Sequence, residues 1–142
     1  MLATVLKSNR KNLPKTKNRI SMNIDLQNLQ TVTEQNLQQV QQLFDEYQRE
    51  AFTQRSPEFF CLELCGEAGE LANLEKKKWK GKDIQHSAIA DEAADVMIAL
   101  LNYSNARGID LGIAVRDKLI RIEEKRSALA DKGELYWYCY IL

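Results

Sequence analysis

A chain of 142 residues with a formal net charge of zero, only six glycines and two prolines is sized for one domain, with a core that buries about two thirds of its surface. Three cysteines are an odd number and no apolar run approaches the roughly 20 residues that cross a bilayer, so nothing points to secretion or membrane spanning and a reduced, cytoplasmic protein is expected. Within the first 24 residues lie Lys7, Arg10, Lys11, Lys15, Lys17 and Arg19 and no acid; the remaining 14 basic residues stand against all 20 acidic ones, and a body of net −6 argues against nucleic acid as the partner of the main site.

Residues 1–23 are basic, contain Pro14 and carry no usable periodicity, so they read as a disordered arm ahead of a helical domain over 24–130. Thr31-Val-Thr-Glu34 has the form of a capping box and predicts a first helix from Thr31 or Thr33, with Leu37, Val40, Phe44, Tyr47 and Ala51 on one stripe and glutamines over much of the rest. Ser56-Pro57 predicts a second helix, by an N-cap followed by proline at the first helical position, and this helix runs to about Lys78 before Gly81. Ser87 is placed to cap a third helix that ends at Gly108, and Asp110 a fourth that runs to about Ala128. Residues 131–142 form a tail whose Tyr136, Trp137, Tyr138, Tyr140, Ile141 and Leu142 predict docking on the body or on a second subunit. Cys61 and Cys65, four apart on the second helix, lack the further ligands of a soft-metal site and are expected in the core.

Two acidic pairs dominate the middle of the chain. Glu67-Ala-Gly-Glu70 and Glu92-Ala-Ala-Asp95 each place two carboxylates three residues apart, on one helix face. Glu63, Glu67 and Glu70 run beside the apolar line Phe60, Leu64, Ala68 and Leu71, at the margin of the packed stripe, while Ile89–Leu101 is apolar nearly all round, broken only by Asp91, Glu92 and Asp95, which predicts a helix enclosed within a bundle. Two like charges about 4 Å apart repel by roughly 1 kcal/mol in water and roughly 4 kcal/mol at an effective dielectric near 20, so converging carboxylates call for a cation. Oxygen donors with no imidazole or thiolate beside them suit Mg²⁺, or Mn²⁺. The 21 residues between Glu70 and Glu92 suffice to finish one helix and return antiparallel. Gly66 and Gly69 lie inside a helix, which excludes a phosphate-cradling glycine loop.

Leu64-Cys-Gly-Glu67-Ala-Gly-Glu70-Leu71 followed by Asp91-Glu92-Ala-Ala-Asp95-Val96 resembles the E-x-x-E and E-x-x-D signatures of the MazG-like nucleoside triphosphate pyrophosphohydrolases, the all-α NTP pyrophosphatase superfamily. The segment from Asp95 to Asn102 with Gly108-Ile-Asp110, the Lys118-Leu-Ile-Arg121 element and Phe44-Asp-Glu-Tyr47-Gln48 extend the resemblance over about residues 33–126. Ala93-Ala94 stands where the family often has Leu-Gly. Few glycines and prolines and four helical segments predict an all-α bundle of four main helices, and apolar faces beyond what one chain covers predict a homodimer or homotetramer; the resemblance implies an active site between packed helices of associated protomers. It also implies hydrolysis of a nucleoside triphosphate, a dNTP or non-canonical NTP, to the monophosphate and pyrophosphate, in nucleotide-pool house-cleaning. By the same carry-over Glu67, Glu70, Glu92 and Asp95 hold Mg²⁺, and Glu63 or one of the four, Glu67 among them, orients or deprotonates the attacking water.

Asn102, two turns beyond Asp95 and on its face, is a candidate substrate ligand. Lys118, on the stripe of Leu111, Val115 and Ile122, and Arg121 are candidate phosphate ligands. Trp79, amid Lys76, Lys77, Lys78, Lys80 and Lys82, either stacks on a base or packs between subunits. Phosphoribosyl-ATP pyrophosphohydrolase or dUTPase-like activity differs only in substrate, and a helical interaction protein without catalysis is the alternative of another class.

Overall fold

The computed structural model describes the backbone of residues 18–134 and the side chains from residue 26. Four helices follow in order, α1 (Asn18–Ala51), α2 (Pro57–Trp79), α3 (His86–Arg107) and α4 (Leu111–Asp131), and no strand occurs among the described residues. The protein is an all-α four-helix bundle, as expected. Residues 1–17 of the basic arm and the aromatic segment 135–142 lie outside the described residues.

Most helix ends follow their local chemistry. Ser56 is extended (φ −71°, ψ 157°), its hydroxyl accepts from the Phe59 amide, and Pro57 opens α2. Gly108 closes α3 in the left-handed region at φ 66°, where only glycine is unstrained. Asp110 then caps α4, its Oδ1 accepting from the Ile113 amide at 2.8 Å. Two expectations need correction. Thr31 and Thr33 do not start α1, which is already helical at Asn18: a capping box acts only where the preceding backbone leaves the helical region, and neither glycine nor proline occurs between Pro14 and Ala51 to make it leave. Gln85, not Ser87, is the N-cap of α3, and its side chain makes no capping bond.

Helix α2 packs along α3 as an antiparallel hairpin, α1 packs on α4, and α1 also meets α3, which places the helices in the spatial order α2, α3, α1, α4. The turn from α3 to α4 is clamped to α1 by amides. Buried Gln41 donates from Nε2 to the Ile109 carbonyl at 2.5 Å and accepts at Oε1 from the Leu111 amide at 2.9 Å, while Asn105 Nδ2 donates to the Gln41 carbonyl at 3.2 Å. Gln38 Nε2 donates to Asp110 at 2.7 Å, and Arg116 of α4 is paired with Glu34 of α1 at 2.7 Å. Gly112 explains itself here: a β-carbon at this position would lie 2.5 Å from the Glu34 carbonyl oxygen, so its absence is what lets α4 lie against α1.

The open arrangement overturns two further expectations about burial. Cys61 and Cys65 are exposed free thiols rather than core residues, because the shielded side of α2 is the line Phe60, Leu64, Glu67, Leu71 and Leu74. Helix α3 is not enclosed either. Ala90, Ala93, Ala94, Met97 and Ile98 are exposed, since α1 reaches only the C-terminal half of α3, where Ala99, Leu101 and Ser104 are buried. No helix among the described residues is long and apolar enough to cross a membrane.

Candidate metal centre

The hairpin of α2 and α3 carries the acids toward one another. Glu67 belongs to the shielded line of α2 itself, between Leu64 and Leu71, rather than to its margin. Carboxylate oxygens of Glu67, Glu70 and Glu92 all lie within 4.8 Å of one another, with Glu67 and Glu92 half-buried and Glu70 exposed. Asp95 is half-buried one turn beyond Glu92 and outside that tightest group, yet close enough for its charge to act on both Glu67 and Glu92. Glu63 is exposed and adds its charge at Glu67. None of the five forms an ion pair with a basic residue among the described residues.

Electrostatics follow from that crowding. The Glu67 carboxyl is held above its ordinary 4.5, first by loss of water around it and then by the charges of Asp95, Glu70, Glu92 and Glu63. Glu92 is raised by partial burial and then by Glu70, Asp95 and Asp91. A carboxyl with a raised native value keeps a proton that the unfolded chain has already released, so it favours the fold at low pH and loses that contribution as pH climbs through the native value. Above pH 4.5 the metal-free protein is therefore expected to lose melting temperature relative to a Glu92→Gln variant, and added Mg²⁺ is expected to reverse the loss. Differential scanning fluorimetry of both proteins over this range, with Mg²⁺ and with EDTA, reads the effect. A pH-independent difference would show that the carboxylates do not repel.

The donor set fits a hard divalent ion. Oxygens on opposite sides of Mg²⁺ are separated by twice a metal–oxygen distance of about 2.1 Å, roughly 4 Å, and the three carboxylates lie within 4.8 Å of one another. Glu67, Glu70 and Glu92 are the residues able to hold it, with Asp95 one helical turn away.

Candidate substrate residues are distributed unevenly. Half-buried Asn102 lines a crevice of about 200 Å³ with Asp45, Gln48, Arg49, Phe60 and Asn105, where α1 meets the hairpin. Asn102 and Asp95 share a face about two turns, or roughly 10 Å, apart. Lys118 is half-buried and Arg121 exposed on α4, which packs on α1 and not on the hairpin, so within one chain neither is paired with the carboxylates. Trp79 is 87% exposed at the end of α2, behind Lys76, Lys77 and Lys78 in the last turn.

A larger cavity of about 510 Å³ lies at the α3–α4 turn, lined by Gln38, Gln41, Gln42, Asp45, Asn105 and Asp110, and holds none of the expected site residues. Sequence reasoning passed over this polar line on α1. Its signal was the spacing of Glu34, Gln38, Gln41, Asp45 and Gln48, a helical stripe as regular as the apolar one. Compared with models of known protein families, with curated proteins and with solved structures, the chain matches none.

Proposed function

We propose that the protein is an Mg²⁺-dependent nucleoside triphosphate pyrophosphohydrolase acting on a dNTP or non-canonical NTP, built as a homodimer or homotetramer. The observation that carries this reading is the meeting of Glu67, Glu70 and Glu92 from two helices, with oxygens within 4.8 Å and no ion-pair partner among the described residues. Converging carboxylates repel one another, and a bound divalent cation would relieve that repulsion. The resemblance of the Glu67–Glu70 and Glu92–Asp95 signatures supplies the substrate class. Bound Mg²⁺ supplies neutralisation of phosphate charge.

In this reading Glu67, Glu70, Glu92 and Asp95 hold the ion, while Glu63 or Glu67 accepts a proton from the attacking water. The water oxygen bonds to the α-phosphorus, the bond from that phosphorus to the bridging oxygen breaks, and pyrophosphate leaves with the electron pair. Asn102 in its crevice donates to the nucleoside; Trp79, roughly 28 Å along α2 from the crevice residue Phe60, would stack on it only from a second copy, which would also bring Lys118 and Arg121 of an α4 to the leaving phosphates. Pyrophosphate release from a panel of ribo- and deoxyribonucleoside triphosphates, common and modified, with Mg²⁺ and with EDTA, tests the reading. Metal-dependent release of the monophosphate and pyrophosphate is expected. Nucleotides left intact at high protein concentration would replace it with a non-catalytic helical interaction protein.

A further inference from the structure

Helix α1 faces the wrong way for a monomer. The edge it turns toward α4 and the end of α3 is polar, formed by Glu34, Gln38, Gln41, Asp45 and Gln48, which carry the hydrogen bonds and the crevice described above. Leu37 and Phe44 are half-buried beside that edge, but five other large apolar side chains stand on another side. Leu29 (49% exposed), Val32 (44%), Val40 (47%), Leu43 (57%) and Tyr47 (57%) follow one another at helical spacing, interrupted only by exposed Asn36. The stripe is about 27 Å long at 1.5 Å per residue.

We propose that this stripe is the seat of a second copy of the same chain, the two α1 helices lying antiparallel across a two-fold axis. Charge selects the occupant. From Gln35 to Phe44 the helix carries no charged residue, so a symmetric pair, in which each patch meets itself, brings no like charges together along its centre. Charge also selects the direction: the C-terminal end holds Asp45, Glu46 and Glu50 against Arg49 alone, and an antiparallel pair keeps the two acidic ends apart. Area is sufficient. The five side chains expose about 500 Å² per protomer, at the upper end of what ordinary monomers leave bare. Twice that is about 1,000 Å², the size at which specific interfaces begin.

This inference rests on the oligomeric part of the proposed function and is independent of hydrolysis. Sedimentation velocity of the full chain is expected to give a dimer or tetramer. A Val40→Glu/Leu43→Glu variant is expected to fall at least two-fold in mass while far-UV circular dichroism stays helical, because both positions are about half exposed. Tyr47→Arg provides the same test should the double variant not fold, and Thr31→Glu, exposed on the other side of α1, is expected to leave the mass unchanged. An oligomer that survives both stripe variants would place the interface elsewhere and overturn this inference alone. A monomeric wild type would overturn it together with the oligomeric reading, with pyrophosphate release then deciding separately whether the chemistry stands.

Discussion

Glu92→Gln is expected to lower pyrophosphate release on the order of 100-fold or more and, in the absence of metal, to raise the melting temperature. The two effects have one cause. Glu92 is the member of the cluster contributed by α3, half-buried against Glu67 and Glu70 of α2, so a neutral amide removes a charged oxygen donor and also the repulsion across the hairpin. Electrostatic stabilisation at the reacting centre is usually the largest single contribution to catalysis, and removing one preorganised oxyanion-hole donor costs about 10²–10³ in turnover, which sets the scale expected here. A purely structural role for Glu92 predicts the opposite pairing, unchanged chemistry with lowered stability. Asp95→Asn is expected to behave like Glu92→Gln in turnover with a smaller gain in stability, because Asp95 stands outside the tightest group. Turnover and melting temperature measured on the same preparations decide the matter, and unchanged turnover in both variants would remove these residues from the site.

Gln41→Leu is expected to destabilise the fold by about 2–4 kcal/mol, without touching the acidic cluster. The substitution nearly preserves volume, so what it removes is hydrogen bonding. The Ile109 carbonyl loses the Gln41 Nε2 donor and the Leu111 amide loses the Oε1 acceptor, at the one turn that joins α3 to α4. Each group stranded away from water costs about 1–3 kcal/mol. Exposed Gln42, the next residue, only reaches Glu46 one turn away at 3.2 Å, so Gln42→Leu is expected to change stability by less than about 0.5 kcal/mol. Chemical denaturation with urea separates the two. Equal losses would mean that the amide clamp does not hold the α3–α4 turn.

What could be read from the residues alone was whatever depends on short-range chemistry. Ser56-Pro57, Gly108 and Asp110 each act on a backbone a few atoms away, and each marks the helix end expected of it. Spacing along α2 and α3 likewise placed Glu67 with Glu70 and Glu92 with Asp95, because three residues on a helix always share a face. The start of α1 was misread by the same logic, since a capping box is a local option that an uninterrupted helix leaves unused.

Burial was not legible, and the reason is physical: it depends on which side of a helix finds a neighbour, and that is set by residues far away in the chain. The glutamines of α1 look like a solvated face, yet Gln41 is buried, and Val40 beside it is half exposed, because the α3–α4 turn offers a carbonyl and an amide that only a polar side chain can satisfy. The apolar circumference of α3 suggested an enclosed helix, yet Ala90, Ala93, Ala94, Met97 and Ile98 are exposed. Sequence by itself determined the four helices and the pairing of acids within each of two of them. Only the tertiary structure decided that three of those carboxylates meet across the hairpin and that α1 turns its apolar stripe outward, since both are set by the packing of one helix on another.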